Sequence, residues 1–480
     1  MDSVPAGSSH WNRGGRTRAG SGWIVAVGAL ALCACTLGPQ YQRPTIPAPL
    51  VWKSAPEGTS AAWPSSGWWH GFSSRQLDQY IAQAQRANDD IAAAIARVRE
   101  AKAQAQIVGA ALQPAIAANA SATRQRTLAA DGNLSTHTVY SPQLSAAYEL
   151  DFWGRNRAAL DSAQATLAAG RYDRATVELT VLSAVASTYF EALALRARAG
   201  IARRNLADAR QILDGLRLEQ TAGTADALDV AQQETAVAAL YASIPPLEQQ
   251  LRQSVHALAI LIGKTPESVE LADATLEALS EPTVWPGLPS ELLARRPDVA
   301  EAEARLIAAN ADIAQARAAF FPSIELTASR GFASEALSRA LSPANAVFSL
   351  GAALTQPIFE GGALEGQAAY ARARYTELLA GYHKAVIAAL ANVEDALVAV
   401  QQTGEEARRR KQAVAAARRA YEIAQAQLRA GTINVLTLLN TESALFAAED
   451  AMAQVALSHF QALVALFNAL GGGWRDAREG

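Results

Sequence analysis

The chain has 480 residues, with 42 Lys+Arg against 45 Asp+Glu and a formal charge of −3. That balance excludes a basic nucleic-acid-binding protein and a charge-rich disordered one. Half of the residues are apolar but only 6% are aromatic, so Ala, Leu, Val and Ile carry the apolar share and favour long, closely packed helices. The two cysteines, Cys33 and Cys35, lie near the N-terminus and leave the rest of the chain without a disulfide framework or a zinc cluster.

Residues 1–34 read as a signal peptide. A polar stretch with Arg13, Arg16 and Arg18 precedes an apolar run from Trp23 to Leu32 and the small-residue sequence Leu32-Cys33-Ala34-Cys35. The run is about ten residues long, too short to span ~30 Å of hydrocarbon as a helix. Leu32 at −3 and Ala34 at −1 resemble a bacterial lipobox, which makes Cys35 the lipidated first residue of an exported chain. Cys33 at −2 departs from the usual small or hydroxyl residue, and an ordinary signal peptide with a passenger cysteine is the alternative.

The remainder is written twice. Asp90 and Asp298, Ala96-Arg97 and Ala304-Arg305, Pro114 and Pro322, Gly154 and Gly362, Gly223 and Gly431, and Gly263 and Gly471 are all separated by 208. One offset held over this length implies two equivalent halves, 75–272 and 290–473. They are joined by a Pro-rich connector (273–289), preceded by an extended segment (35–74) and followed by a tail (474–480). Each half opens with an Ala-rich helical stretch, Leu77 to Leu112 or Pro297 to Ala319. At Pro114 and Pro322 the period changes to two: in Ser323-Ile324-Glu325-Leu326-Thr327-Ala328-Ser329 apolar and polar residues alternate strictly. Each half therefore carries one hairpin, about 114–153 and 322–360. A helical pair follows, about 155–262 and 362–470, read as breaking near Leu195 to Gly200 and Gln401 to Glu405, with helices some 60 Å long at 1.5 Å per residue.

Strands of about ten residues with one apolar face suit a tilted transmembrane strand; ordinary half-exposed sheet is the bland alternative. On the membrane reading Ile324 and Leu326 face lipid. Four strands cannot close a barrel, and open edges cannot face lipid, so several copies must pool their hairpins. For the helices, a soluble bundle and a hollow cylinder of coiled coils are equally compatible with the pattern.

At this point the residues resemble the TolC-like outer-membrane efflux proteins, and within them the lipid-anchored outer-membrane factors of resistance-nodulation-division pumps. The resemblance rests on Cys35-Thr36-Leu37-Gly38-Pro39-Gln40-Tyr41-Gln42-Arg43-Pro44, Trp68-Trp69 with Phe72, Tyr148-Glu149-Leu150-Asp151-Phe152-Trp153-Gly154-Arg155, Arg295-Arg296-Pro297-Asp298, Phe321-Pro322-Ser323 and Gln356-Pro357-Ile358-Phe359-Glu360-Gly361-Gly362, in order along a duplicated chain. It implies a mainly α fold with transmembrane β-strands, four per chain. It further implies a homotrimer forming a 12-stranded barrel in outer-membrane lipid above a periplasmic α-barrel. It also implies diacylglycerol and an N-acyl (palmitate) chain on Cys35, and no other cofactor. The duct is a passive exit, powered by an inner-membrane pump through a periplasmic adaptor.

No catalytic set is present: the six histidines are isolated, and HExxH, GxSxG and GxxxxGK are missing. Function then lies in the pore and its periplasmic end. If the helices turn near residues 194–200 and 401–406, the aperture candidates are Glu394, Asp395, Glu405 and Glu406, and the adaptor-contacting tips are Arg196, Arg198, Gln402 and Arg408. A solvated helix face with local ion pairs explains the same charges equally well. Export of proteins, or a poreless lipid-anchored coiled-coil scaffold, are the alternatives in function. The cargo cannot be read: with only Met1 and Met452, no Met-rich site points to copper or silver.

Overall fold

The computed structural model describes residues 38–47, 49–54, 63–128 and 132–475; the signal-peptide segment and Cys35 lie outside the described residues. Helices α1 (Arg75–Ala87) and α2 (Asp89–Gly109) lead into strands β1 (Ala115–Leu128) and β2 (Leu134–Leu150), then α3 (Arg155–Thr221) and α4 (Ala227–Leu261). After the connector come the short α5 (Pro289–Leu292), α6 (Pro297–Ala318), β3 (Ser323–Phe332), β4 (Ala346–Thr355), α7 (Ala363–Arg429) and α8 (Val435–Ala469). The duplication survives element by element. Asp89 and Pro297, Ala115 and Ser323, Arg155 and Ala363, and Ala227 and Val435 each begin matching elements 208 residues apart.

The helices do not break where the sequence suggested. α3 and α7 run uninterrupted for 67 residues each, about 100 Å, and α4 and α8 return for 35 residues each, about 52 Å. Gly200 and Gly404 are lone helix-weakening residues worth only about 1 kcal/mol apiece. Packing overrides them: Tyr189, Phe190, Leu193 and Ala194, just upstream on α3, are fully or almost fully buried. The chain reverses instead at 222–226 and 430–434. There Thr224 N donates to Glu219 O at 2.9 Å and Thr432 N to Gln427 O at 3.0 Å, closing each long helix. Asp226 and Asn434 then cap the returning helices through their side chains.

α4 returns only about half way. It ends at Leu261, whose carbonyl accepts from Asn88 Nδ2 at 2.9 Å; Asn88 also caps α2 by accepting from Ile91 N at 3.0 Å. α2 therefore continues the line of α4 along α3 toward the sheet. The junction needs glycine: Gly263 has φ 66°, and a Cβ there would strike the carbonyl oxygen of Ala87. Its counterpart Gly471 has φ 81° and would strike the carbonyl of Arg295.

The main core surrounds this junction. Trp68, Trp69 and Phe72 from a short 3₁₀ turn pack with Leu77 and Ile81 of α1, Tyr189 and Phe190 of α3, and Phe460 and Phe467 of α8. Trp68 stacks on Phe467 at 5.0 Å and Phe72 meets Phe190 at 4.9 Å between ring centroids. Val269 and Leu271, which follow α4, and connector residues Leu276 and Leu279 cover the same cluster, which makes a girdle around the middle of the shaft. Laterally the order is α2/α4, α3, α6/α8, α7. The four strands form one antiparallel sheet in the order β1-β2-β3-β4.

Candidate functional site

Register sorts the sheet into two faces. Ile324 pairs with Leu150 and Leu354, Leu326 with Tyr148 and Ala352, and Ala328 with Ala146 and Leu350. With Ile116, Ala118 and Leu144 these residues give one nearly continuous apolar face, on which Ile116, Leu144, Phe348, Leu350 and Leu354 are exposed. Ile324 and Leu326 thus share the apolar face. Arg330 also lies on this face, one step from the Phe332 end, where a long side chain can reach headgroups, and Arg124 and Arg126 follow it farther along β1. Aromatic residues mark both rims: Tyr140, Phe332 and Phe348 at one, and Tyr148, Phe152, Trp153, Phe321 and Phe359 toward the helices. Trp153 stacks on Phe321 at 4.8 Å and donates to the Pro322 carbonyl at 2.8 Å. The opposite face is polar, with Asn119 donating to Ser145 at 2.9 Å and Ser329 bonding Ser349 at 2.8 Å. An apolar belt between aromatic rims, backed by a polar face, is the pattern of a membrane-embedded barrel wall. α3, α7 and α8 hold stretches apolar enough to cross a membrane by composition, but α3 and α7 are about three times the ~30 Å hydrocarbon thickness.

The residues assigned to the tips are not there, which corrects the sequence reading. Arg196 and Gln402 stand about 40 Å short of the true ends of their helices. Arg196 donates to the Leu271 carbonyl at 3.4 Å, to that of Ala272 at 2.5 Å and to that of Ala274, and so ties α3 to the stretch that leads into the connector. Arg198 pairs with Asp450 on α8 at 2.6 Å. The Glu394 carboxylate accepts from Lys53 N at 2.7 Å and Ser54 N at 3.2 Å, pinning the N-terminal segment. Asp395 and Gln402 are exposed on the side of α7. Glu405 binds Arg408 and Arg409, and Glu406 binds Arg410 at 3.1 Å, all within one helix. Hydrogen bonds from Arg409 and Arg408 hold the Glu405 carboxyl below its ordinary range. The first group belongs to the girdle and the second is a helix face with local i,i+3 and i,i+4 pairs, because the breaks that made them tips do not exist.

The actual free end of the shaft is built over two small clusters, Leu213, Leu216, Val230 and Val435, and Tyr421, Ala424, Leu438 and Leu445. Two polar side chains are buried among them, Gln233 on α4 and Glu442 on α8. Burial pushes the Glu442 carboxyl up to about 7; the Gln233 side chain opposes this and Asp208 reinforces it. Sequence reasoning passed over Glu442. Its signal was there: 435, 438, 442 and 445 form one helical stripe, and Glu442 is the carboxylate in an otherwise apolar row.

A sheet with an outward apolar belt, carried on a shaft about 100 Å long with polar surfaces, defines an outer-membrane channel protein with a periplasmic extension. The sequence profile described as outer membrane efflux protein matches residues 80–264 and again 288–472, one match to each half. The pyoverdine export outer membrane protein OpmQ of Pseudomonas aeruginosa is 41% identical over 459 residues, spanning 94% of this chain and 96% of that relative. The toluene efflux pump outer membrane protein TtgC of Pseudomonas putida is 32% identical over 461 residues, 94% of this chain and 95% of its own. The solved structure of the outer-membrane channel OprN superimposes with a TM-score of 0.86 at 29% identity, covering 92% of this chain and 100% of that one. The chain belongs to the outer membrane efflux protein family. It is an outer-membrane channel component of an efflux system, in a family of efflux channel proteins rather than enzymes.

Proposed function

We propose that three copies of this chain close into a 12-stranded barrel above a helical cylinder, and that this homotrimer is the passive exit duct of a tripartite efflux system. An inner-membrane resistance-nodulation-division pump supplies the energy through a periplasmic adaptor, and the cargo is small molecules. One observation carries the closure: both lateral edges of the chain are open and match in kind. Among the described residues β1 and β4 end the sheet unpaired. Below β1, helices α2 and α4 expose Ile107, Leu228, Tyr241 and Ile260; below β4, helix α7 exposes Tyr370, Ile387, Val398 and Ile423. Two different edges that complement each other make a head-to-tail interface, which forms a ring when the rotation closes. Relatives named for pyoverdine export and toluene efflux support small-molecule cargo over protein export.

Lipidation of Cys35 with diacylglycerol and an N-acyl chain fits the path of the next residues. Asn310 on α6 donates to the Pro39 carbonyl at 2.8 Å, and Gly38 packs so closely on Ala314 that a Cβ would collide. This is about two and a half helical turns before β3. The described chain therefore begins, at Gly38, beside the helix-side rim of the sheet, which supports a lipid-anchored N-terminus.

The test is single-channel conductance of the detergent-extracted protein in planar bilayers, with the copy number counted by native mass. Discrete pores from a trimer are expected; a monodisperse monomer, or a trimer that never conducts, would overturn the reading and favour the poreless scaffold.

A further inference from the structure

Glu442 is the buried carboxyl that the duct as described leaves unused. It exposes only 2% of its surface, and Gln233, facing it from α4, none. Gln233 spends its Nε2 on the Ala209 carbonyl of α3 at 2.8 Å, and it lies close enough to the Glu442 carboxyl to act on its protonation. Glu442 Oε1 and Gln233 Oε1 are both buried without a hydrogen-bond partner among the described residues. A carboxylate can only accept, so ionised Glu442 leaves two buried acceptors without a protein donor; a single proton on Glu442 supplies one. α4 packs along α3 and α8 along α7; the two hairpins meet where α3 packs on α8, and α4 touches α8 only slightly, so Gln233 and Glu442 add a link between the hairpins near the free end of the shaft.

We propose that Glu442 is a proton-operated latch: neutral, it ties α8 to α4 through Gln233 and keeps that end of the duct closed; ionised, it draws in water and lets the hairpins separate. This rests on the channel reading above. The titratable groups facing Glu442 are Asp208 on α3 and Tyr421 on α7, while Gln233 on α4 is neutral. Asp208 repels a carboxylate, and burial together with Glu442 and Asp208 pushes Tyr421 up to about 12. Arg429 acts on Tyr421, and no basic side chain is among the groups acting on Glu442 among the described residues.

The direction follows from linkage. In the closed end burial lifts Glu442 from 4.5 to about 7, whereas in an open, hydrated end it keeps its ordinary value. The closed state therefore binds the extra proton between these values: its advantage is complete below about pH 4.5 and lost as pH rises through about 7. Between about pH 5 and 8 the closed-to-open ratio falls by at most about 70-fold.

The experiment compares wild type with Glu442→Gln, which is isosteric, permanently neutral and still able to donate to Gln233. Open probability of the reconstituted full-length protein is recorded from pH 5 to pH 8. In parallel, amide exchange of residues 435–449, corrected for intrinsic rates, is measured over the same range. Wild type is expected to open more often and exchange faster as pH passes through 6 to 7, while Glu442→Gln stays at the wild-type acid level throughout. The same pH response in both proteins, or no response in wild type, would overturn the latch. If neither protein conducts at any pH, the channel reading fails, and the exchange comparison still decides whether Glu442 holds the hairpins together.

Discussion

Arginine substitutions along the apolar face of the sheet should cost stability in order of depth. Ile324 and Phe332 bound this face on β3; eight residues at about 3.3 Å, tilted by about 40°, give a belt about 20 Å tall. Its midplane falls at the Ala328–Leu350 pair, where Leu350 is 79% exposed on the single chain. Leu350→Arg should therefore cost about 2–4 kcal/mol per chain, the full midplane penalty. Leu326, two residues lower, is about 5 Å from the midplane, and its arginine variant should cost about 1–2 kcal/mol. Ile324→Arg, at the rim where the guanidinium reaches headgroups, should cost no more than about 1 kcal/mol. Ser349→Arg is the control, since Ser349 pairs with Ser329 on the polar face and loses only one hydrogen bond, about 0.5–1.5 kcal/mol. Urea titration of protein folded into phosphatidylcholine vesicles, followed by tryptophan fluorescence, measures the series. The reasoning is refuted if Ser349→Arg costs as much as Leu350→Arg, or if Ile324→Arg is the most costly.

Gly471→Ala should lower stability by about 2–4 kcal/mol, because it adds both left-handed strain and a clash with the Arg295 backbone. Gly362→Ala, at φ 87° in open space, should cost only the strain of about 1–2 kcal/mol; equal thermal midpoints for the two variants would remove the junction argument. Glu394→Ala frees the backbone donors of Lys53 and Ser54 and should cost about 1–3 kcal/mol locally. Its readout is faster limited proteolysis at 49–54, and an unchanged cleavage rate counts against it. Cys35→Ser should abolish acylation, seen by mass, while leaving the protein in the outer-membrane fraction after carbonate washing. Quantitative release would mean that the lipid alone holds it and the strands do not span.

The sequence alone determined the duplication, the period-two strands, four to a chain, and the family. These are properties of local pattern and chain count: alternation tells which side chains share a face whatever the partner strand, and a fixed 208-residue offset needs no coordinates. It also held the true helix ends, in the repeated Ala-Gly-Thr at 222–224 and 430–432 followed by the caps Asp226 and Asn434. The charged stretches near 196–200 and 402–411 compete with that signal for the tips. Only the tertiary structure decided between them, because whether a lone glycine such as Gly200 breaks a helix depends on what its neighbours bury, and Tyr189 and Phe190 are locked in the girdle core. The same holds for the charges. Glu394 and Arg196 bind backbone more than 70 residues away in sequence, and Glu442 looks like any surface carboxylate until four helices remove its water. Burial is a property of the assembled bundle, and with it comes the free energy that separates a solvated charge from a buried one.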